Sequence, residues 1–220
     1  IRYKITTFIS IQKPPSIMKP YLPDLLNDLA AVCRESQQDS FISLSKQIDE
    51  VPRSRLPNPS TEAITSQKSL GTAISGIPPD LSLRVSGSIA AQQSPWSEAS
   101  RGIPEFFAGG YAYSILVDEH GTCGPEPIRV GLLLQQDHVA YPGHAHDAEE
   151  FYFILSGTAT WRVDDQSFQV RPGDLVHHAS AAIHEMNTAD EPLLAIWAWR
   201  GNLGGRFWYE SNPSIDCPLS

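Results

Sequence analysis

Apolar residues near the start of the chain recur at three- and four-residue spacing. The positions that share this face are Leu22, Leu25, Leu26, Leu29, Ala30 and Cys33. Such spacing is typical of an amphipathic helix, so residues 21–50 are predicted to be helical, with Asp24 capping the first turn.

A Pro-rich stretch at residues 51–63 ends this helical pattern. Ser60 or Thr61 is placed to begin a second helix after the break. Residues 64–94 are only weakly periodic, and we expect helices there that pack beside the element that follows.

From about residue 111 the pattern changes to short apolar and aromatic runs separated by Gly, Pro and Asp. The predicted strands cover 111–117, 128–135, 151–157, 158–163, 167–170, 174–178, 181–187 and 193–199. Short strands with turn residues at close intervals are typical of an antiparallel barrel or jelly roll. The chain is therefore predicted to be mainly β, with an N-terminal helical segment.

The change of pattern divides the chain into three predicted segments. Residues 1–17 contain no acidic residue and precede Met18, which begins a sequence typical of a natural start. We expect residues 1–17 to be an extension added in cloning or translated from upstream sequence. Residues 18–105 are predicted to be a helical segment that packs on the barrel, and residues 106–220 the barrel itself.

Composition and charge exclude several classes of protein. The chain has 220 residues, 41% hydrophobic and 19% charged, which is ordinary for a globular protein. It contains no run of 18 apolar residues, so no membrane span is expected. The formal net charge is −9, and no lysine follows Lys68. Because nucleic-acid binders usually present a basic face, nucleic acid is not expected as a partner. A membrane is not expected as a partner either, since the chain has no apolar run long enough to span one.

The cysteines give no sign of a thiol site. Cys33, Cys123 and Cys217 lie far apart and form no CxxC pair, so neither a thiolate zinc site nor a redox motif is predicted. An odd number leaves at least one thiol free within the chain, which favours a reducing compartment and a cytoplasmic location.

All seven histidines lie between residues 120 and 184, and three of them form a pattern with a glutamate. The first stretch, YPGHAHDAEEFYFILSG, holds His144, His146 and Glu150, and the second, RPGDLVHHASAAIHEM, holds His184. If one strand carries residues 144–152, alternation places both histidines, Glu150 and Tyr152 on one face. Three imidazoles and one carboxylate suit Zn, Fe(II), Mn, Ni or Co and leave coordination positions open for a substrate.

The two stretches resemble the two motifs of the cupin superfamily. HxHxxxExxxxxxG followed by PGD and a later histidine implies a cupin double-stranded β-helix, a jelly-roll barrel, with His144, His146, Glu150 and His184 as metal ligands. The chain departs from the family pattern twice. His138 replaces the usual glycine six residues before the first ligand, and the usual Asn of the second motif is absent. A metal-free cupin that packs its histidines as core is the less favoured alternative, because all four ligands are intact.

A narrower resemblance comes from the residues around these ligands. The arrangement YPxHxHxAEExYxxLSG, then PGD, then HxM, is similar to the cupin-type dimethylsulfoniopropionate (DMSP) lyases, and the aromatic stretch at 193–201 fits it. The resemblance covers about residues 111–210. It implies metal-dependent β-elimination of DMSP, a small zwitterionic sulfonium, to dimethyl sulfide and acrylate.

Tyr152 is the best candidate for the base that such an elimination needs. The second half of the chain has no lysine, and the ligand histidines would be occupied by metal. A nearby divalent cation favours the phenolate. The alternative is a buried aromatic residue with a hydrogen-bonded hydroxyl.

Further aromatic residues are candidates for substrate contacts. By the family resemblance, Tyr141 orients the substrate. An aromatic wall for the sulfonium, acting by cation–π attraction, is expected from Trp197 and Trp199, with Trp161, Trp208 and Tyr209 as further members. For each of these residues, packing in the core is the alternative role.

The other histidines and acids near the motifs are expected outside the ligand set. His177 and His178 lie on opposite strand faces, so at most one points inward, and both are expected behind the ligands or at the surface. His120 and His138 are predicted loop or rim residues. Asp147 and Glu149 should face away from the metal. These residues take no part in the predicted ligand set.

Two further classes of function stay open on the sequence. One is another metallocupin enzyme, a dioxygenase or an isomerase. The other is a non-enzymatic cupin ligand sensor, although the chain shows no basic recognition helix. Release of a volatile sulfide without oxygen separates the lyase from a dioxygenase.

A homodimer formed through barrel edges is a further expectation.

Overall fold

The computed structural model describes residues 22–53, 56, 69–98, 110–118 and 126–211. Within these ranges no helix is long and apolar enough to cross a membrane. The predicted helix over 21–50 is two helices, α1 (Leu22–Glu35) and α2 (Asp39–Glu50). Asp24 lies inside the first turn of α1, whose buried residues are the predicted apolar stripe.

Two shorter helices follow, α3 (Leu70–Ser75) and α4 (Arg84–Gln93). They lie within the weakly periodic stretch that predicted helices. Ser60 and Thr61 lie outside the described residues. So do residues 1–17 and the boundary at 105/106, so the division of the chain into segments stays a prediction.

The strands form two antiparallel sheets. Their bounds are β1 (Ser97–Glu98), β2 (Tyr111–Val117), β3 (Ile128–Gln135), β4 (Ala140–His146), β5 (Ala148–Ser156), β6 (Ala159–Val163), β7 (Gln166–Val170), β8 (Leu175–His178), β9 (His184–Thr188), β10 (Leu193–Gly201) and β11 (Phe207–Tyr209). The six-stranded sheet has the order β1-β2-β3-β10-β5-β8, and the five-stranded sheet the order β11-β4-β9-β6-β7. This confirms the predicted fold class, a mainly β jelly roll with N-terminal helices.

Alternation along β5 explains why the six-stranded sheet is covered on both faces. Phe151 and Phe153 join the core formed with the helices, and Phe151 meets Phe41 of α2 edge-on at 5.2 Å between ring centroids. Tyr152 and Ile154 point the other way and join the core between the sheets. A strand buried on both faces reads as a continuous apolar run, which is what the sequence FYFIL shows.

The four ligand candidates were predicted to include three residues on one strand, but the structure divides these three between two strands. His144 and His146 belong to β4 in the five-stranded sheet, whereas Glu150 belongs to β5 in the six-stranded sheet. Asp147 lies at the crossing between the sheets, where its backbone and carboxylate bind Arg206. Because the two sheets face each other, residues on their inner faces converge on the space between them.

Backbone conformation accounts for one motif glycine and for one departure from the motif. Gly157 has φ +79°, and a Cβ there would lie 2.1 Å from the carbonyl oxygen of Pro192. His138 has φ +56°, in the left-handed region that glycine favours. At the position where the family pattern has glycine, this chain therefore has a histidine in the left-handed region.

Candidate metal centre

Three buried histidines face one another from neighbouring strands of the five-stranded sheet. His144 of β4 pairs directly with His184 of β9, and their ring centroids are 4.1 Å apart. The ring of His146 lies 5.1 Å from that of His184. All three side chains are at most 3% exposed. Their ligand atoms lie within 4.8 Å of one another, as metal ligands do.

Backbone carbonyls fix the tautomer of these histidines. Nδ1 of His144 is 2.9 Å from the oxygen of Pro142, Nδ1 of His146 is 2.9 Å from that of Ala148, and Nδ1 of His184 is 3.0 Å from that of Ala182. A carbonyl only accepts, so each Nδ1 must carry the proton and donate it. Each Nε2 then presents its lone pair to the space between the sheets, as a metal ligand requires.

Glu150 brings a buried carboxylate to the same place. Its Oε2 lies 3.1 Å from Nε2 of His184 and 3.3 Å from Nε2 of His146. Burial raises the pKa of Glu150, but the neighbouring imidazoles, His146 foremost, outweigh this effect and hold that pKa well below the usual value. Burial lowers the pKa of His144 well below its usual range. The cluster therefore combines a carboxylate anion with a neutral imidazole.

This donor set fits a divalent transition metal ion. Nε2 of His184 is buried and has no aligned hydrogen-bond partner, although the Glu150 carboxylate is near. An unpartnered buried acceptor is costly unless something else binds it. Three imidazole nitrogens and one carboxylate oxygen match the preferences of Zn, Fe(II), Mn, Ni and Co, and they do not select among these metals.

His178 belongs to this cluster, and sequence analysis did not place it there. Its side chain is fully buried, stacks on His184 at 3.9 Å between centroids, and forms a second possible metal-binding group with Glu150 and His184. Burial lowers the pKa of His178 to about 3. Strand alternation predicted only that at most one of His177 and His178 points inward, with both behind the ligands or at the surface. The pairing of β5 with β8 sets Glu150 opposite His178, and no sequence signal gives that pairing.

The residues expected to face away from the centre do so. Glu149 binds His177 and Arg200 on the helix side of the sheet, and Asp147 binds Arg206 at the crossing. His138 is largely exposed, 3.8 Å from Asp190, as a rim residue should be. His120 lies outside the described residues.

Two tyrosines lie against the cluster. Tyr152 follows Glu150 on the inner face of β5 and packs edge-on against Trp161 at 4.9 Å. Burial and the adjacent Glu150 carboxylate raise its pKa well above the usual value. Tyr141 stacks on the ring of His144 at 4.5 Å. Both tyrosines therefore contact the residues expected to bind metal.

The two tryptophans of β10 have different surroundings. Trp199 donates its indole N–H to Oε1 of Glu150 at 2.6 Å, and its ring lies 4.4 Å from that of His146. Trp197 pairs with Tyr152 across the sheet and lies over Gly131, where a Cβ would come within 2.5 Å of the indole. Gly131 thus leaves room for the Trp197 ring. The hydrogen bond of Trp199 was not foreseen from sequence.

Strand β11 adds an aromatic residue that sequence analysis missed. Phe207 stacks on His144 at 5.2 Å, and Tyr209 lies 6.2 Å from the same ring. Trp208 between them packs against the guanidinium of Arg206 instead. The expected contribution of Trp208 to the inner aromatic wall was wrong, because alternation turns it outward. Its two neighbours on β11 contact the cluster.

Comparison with known proteins identifies the family. The family model for dimethylsulfoniopropionate lyase matches residues 87–195, a stretch that contains all four ligand candidates. The chain belongs to the dimethylsulfoniopropionate lyase family. A curated relative, dimethylsulfoniopropionate lyase DddQ from Ruegeria pomeroyi, is 27% identical over 186 residues, covering 84% of this chain and 91% of the relative.

Two solved structures of DMSP lyases have folds similar to that of this chain. The crystal structure of the DMSP lyase DddQ from Ruegeria pomeroyi matches with a TM-score of 0.61 at 22% identity, covering 89% of this chain and 98% of that one. A structure reported with the DMSP lyases RdDddP and RnDddQII matches with the same TM-score at 20% identity, over 86% and 98% of the two chains.

Family membership decides between the classes of function that the sequence left open. The family is one of carbon–sulfur lyases, so the chain is an enzyme of that class. A non-enzymatic sensor, a dioxygenase and an isomerase are not supported by these comparisons. The cytoplasmic location and the homodimer stay predictions.

Proposed function

We propose that this lyase cleaves dimethylsulfoniopropionate to dimethyl sulfide and acrylate by metal-dependent, base-catalysed β-elimination. The observation that carries the proposal is the convergence of three Nε2 lone pairs and one carboxylate between the sheets, beside two buried tyrosines, in a chain of this family. We assign His144, His146, Glu150 and His184 as ligands of one divalent transition metal ion.

The four ligands would set the electrostatics of the site. A divalent ion held there would supply positive charge that binds the substrate carboxylate and stabilises the charge on it as the α-proton leaves. The buried, pre-oriented imidazoles and Glu150 would hold this charge in a site from which most water is excluded.

Tyr152 is proposed as the base. It takes the α-proton, the electrons of that C–H bond form the C=C bond of acrylate, and the C–S bond breaks so that its electrons leave with dimethyl sulfide. Burial and Glu150 raise the pKa of the phenol, so the base role requires a cation that offsets both effects. Tyr141, which stacks on His144, is the second candidate for this step.

Aromatic faces are proposed to receive the sulfonium. Trp197 and Trp199 border the inner face of the sheet beside Tyr152 and Glu150, and Tyr141 stacks on His144 of the five-stranded sheet. A cation over an aromatic face gains roughly 0.5–2 kcal/mol per contact. The substrate's two charges would then be met by different parts of the site.

The direct test is to supply DMSP to purified protein without oxygen. Dimethyl sulfide is measured in the headspace and acrylate by proton NMR. We expect equal amounts of both products, because the elimination produces one of each. Loss of DMSP without dimethyl sulfide, or a requirement for oxygen, would contradict the proposal. Glu150→Gln serves as the matched variant, since it keeps the size of the side chain and removes its charge, and it should lose both metal and activity.

A further inference from the structure

Both ring nitrogens of His178 are already engaged. Nε1–H of Trp161 lies 2.9 Å from Nε2 of His178, and Nδ1 of His178 lies 3.0 Å from Oε2 of Glu150. An indole N–H only donates, so Nε2 of His178 must accept. The proton of the neutral ring is then on Nδ1, which donates to the carboxylate. The three side chains form a directed chain of hydrogen bonds that ends on Glu150.

This arrangement separates His178 from the other buried histidines of the cluster. In His144, His146 and His184 a backbone carbonyl holds Nδ1, and Nε2 is left toward the centre. In His178 the lone pair of Nε2 is occupied by Trp161. His178 could bind a metal only by giving up one of its two hydrogen bonds, although distance alone places it in a possible metal-binding group.

We propose that His178, held by Trp161, is a positioning residue that fixes the Glu150 carboxylate for metal binding and is not itself a ligand. The inference rests on the metal site proposed above. It adds a residue pair that orients one ligand from behind.

The surroundings of Glu150 support this role. Trp161 and His178 are fully buried, so neither ring can turn freely. The second carboxylate oxygen of Glu150 accepts the indole N–H of Trp199 at 2.6 Å. Each oxygen thus has its own donor, and the plane of the carboxylate is set before an ion arrives. Groups that orient a metal ligand in this way typically change metal affinity 10- to 100-fold when removed.

The test measures the affinity of metal-free protein for Zn²⁺ by competition with a chelating dye. His178→Leu removes the donor to Glu150, and we expect the Kd to rise about 10- to 100-fold. His178→Asn places an amide N–H near the position of Nδ1, so it should restore the Kd to within about threefold of wild type. His177→Asn is the matched control, because His177 points to the helix side, and it should leave the Kd unchanged. A wild-type Kd for His178→Leu, or no rescue by His178→Asn, would overturn the role.

A second readout does not depend on any variant of His178. With ¹⁵N-labelled histidine, NMR should show His178 protonated on Nδ1 and unprotonated on Nε2, before and after Zn²⁺ is added. The Nε2 resonances of the ligand histidines should shift on binding. A metal-induced shift of the His178 nitrogens to values typical of coordination would make it a ligand and refute the inference. If His178→Leu does not fold, the Kd of Trp161→Phe for Zn²⁺ and this NMR measurement together test whether His178 positions Glu150.

None of these measurements uses substrate, so the two proposals fail separately. A wild type that binds Zn²⁺ but releases no dimethyl sulfide with any of the five candidate metals would refute the proposed reaction and leave the role of His178 standing. If the wild type releases dimethyl sulfide and the His178→Leu variant binds Zn²⁺ with a wild-type Kd, the role of His178 is refuted and the proposed reaction stands.

Discussion

Trp199→Phe tests how much of the metal site depends on one hydrogen bond. The change removes the indole N–H that Oε1 of Glu150 accepts at 2.6 Å and keeps an aromatic ring beside His146. Hydrogen bonds to charged groups contribute about 1.5–3 kcal/mol. Since about 1.4 kcal/mol is a factor of ten in an equilibrium constant, the Kd for metal should rise roughly 10- to 100-fold.

Two measurements on the same preparation separate the roles of Trp199. The Kd for Zn²⁺ is measured by chelator competition, and the KM for DMSP is measured at saturating metal. We expect the Kd to rise and the KM to change less than about threefold, because phenylalanine still offers a face to the sulfonium. Trp197→Phe is the comparison variant, since we assign Trp197 to the sulfonium and not to Glu150. An unchanged Kd with a raised KM in Trp199→Phe would show that the hydrogen bond to Glu150 does not support the metal.

Three further outcomes are expected. Tyr152→Phe should keep its metal content and lower kcat by roughly 10²–10⁴, the usual contribution of a positioned base, and near-normal turnover would move that role to Tyr141. Gly131→Ala should lower the melting temperature, because the added Cβ would lie 2.3 Å from the carbonyl oxygen of Ser114 as well as against Trp197; an unchanged melting temperature would contradict the packing. Burial raises the pKa of Cys33 to about 12. In a variant whose other cysteines are serine, the Cys33 thiol should therefore resist iodoacetamide at pH 8 until denaturant is added. Rapid labelling of the native protein would contradict this expectation.

Local patterns predicted most elements and their inner and outer faces. The apolar stripe of α1 is the buried face of that helix, and alternation correctly separated Glu149 from Glu150 and His177 from His178. These predictions succeed because side-chain direction along a helix or strand depends on neighbouring residues alone. The resemblance to a family then narrowed the predicted barrel to a cupin jelly roll, and the ligand set that it implies stays a prediction.

What the sequence did not predict depends on contacts between distant residues. Placing His144 and Glu150 on one strand was wrong, because Asp147 binds Arg206 and the chain crosses there to the other sheet. The bond between Glu150 and His178 joins residues 28 apart, and that between Glu150 and Trp199 joins residues 49 apart. Strand order and register set these partners, and neither follows from local periodicity.

In the proposed reaction, one metal ion held between the sheets is required for release of dimethyl sulfide. The decisive experiment titrates metal-free protein with Zn²⁺, Fe²⁺, Mn²⁺, Ni²⁺ and Co²⁺ in turn and measures dimethyl sulfide release from DMSP at each ratio. We expect no activity without metal, and activity that rises linearly and levels off at one ion per chain for at least one metal. Full activity in protein shown by elemental analysis to hold no metal would contradict it.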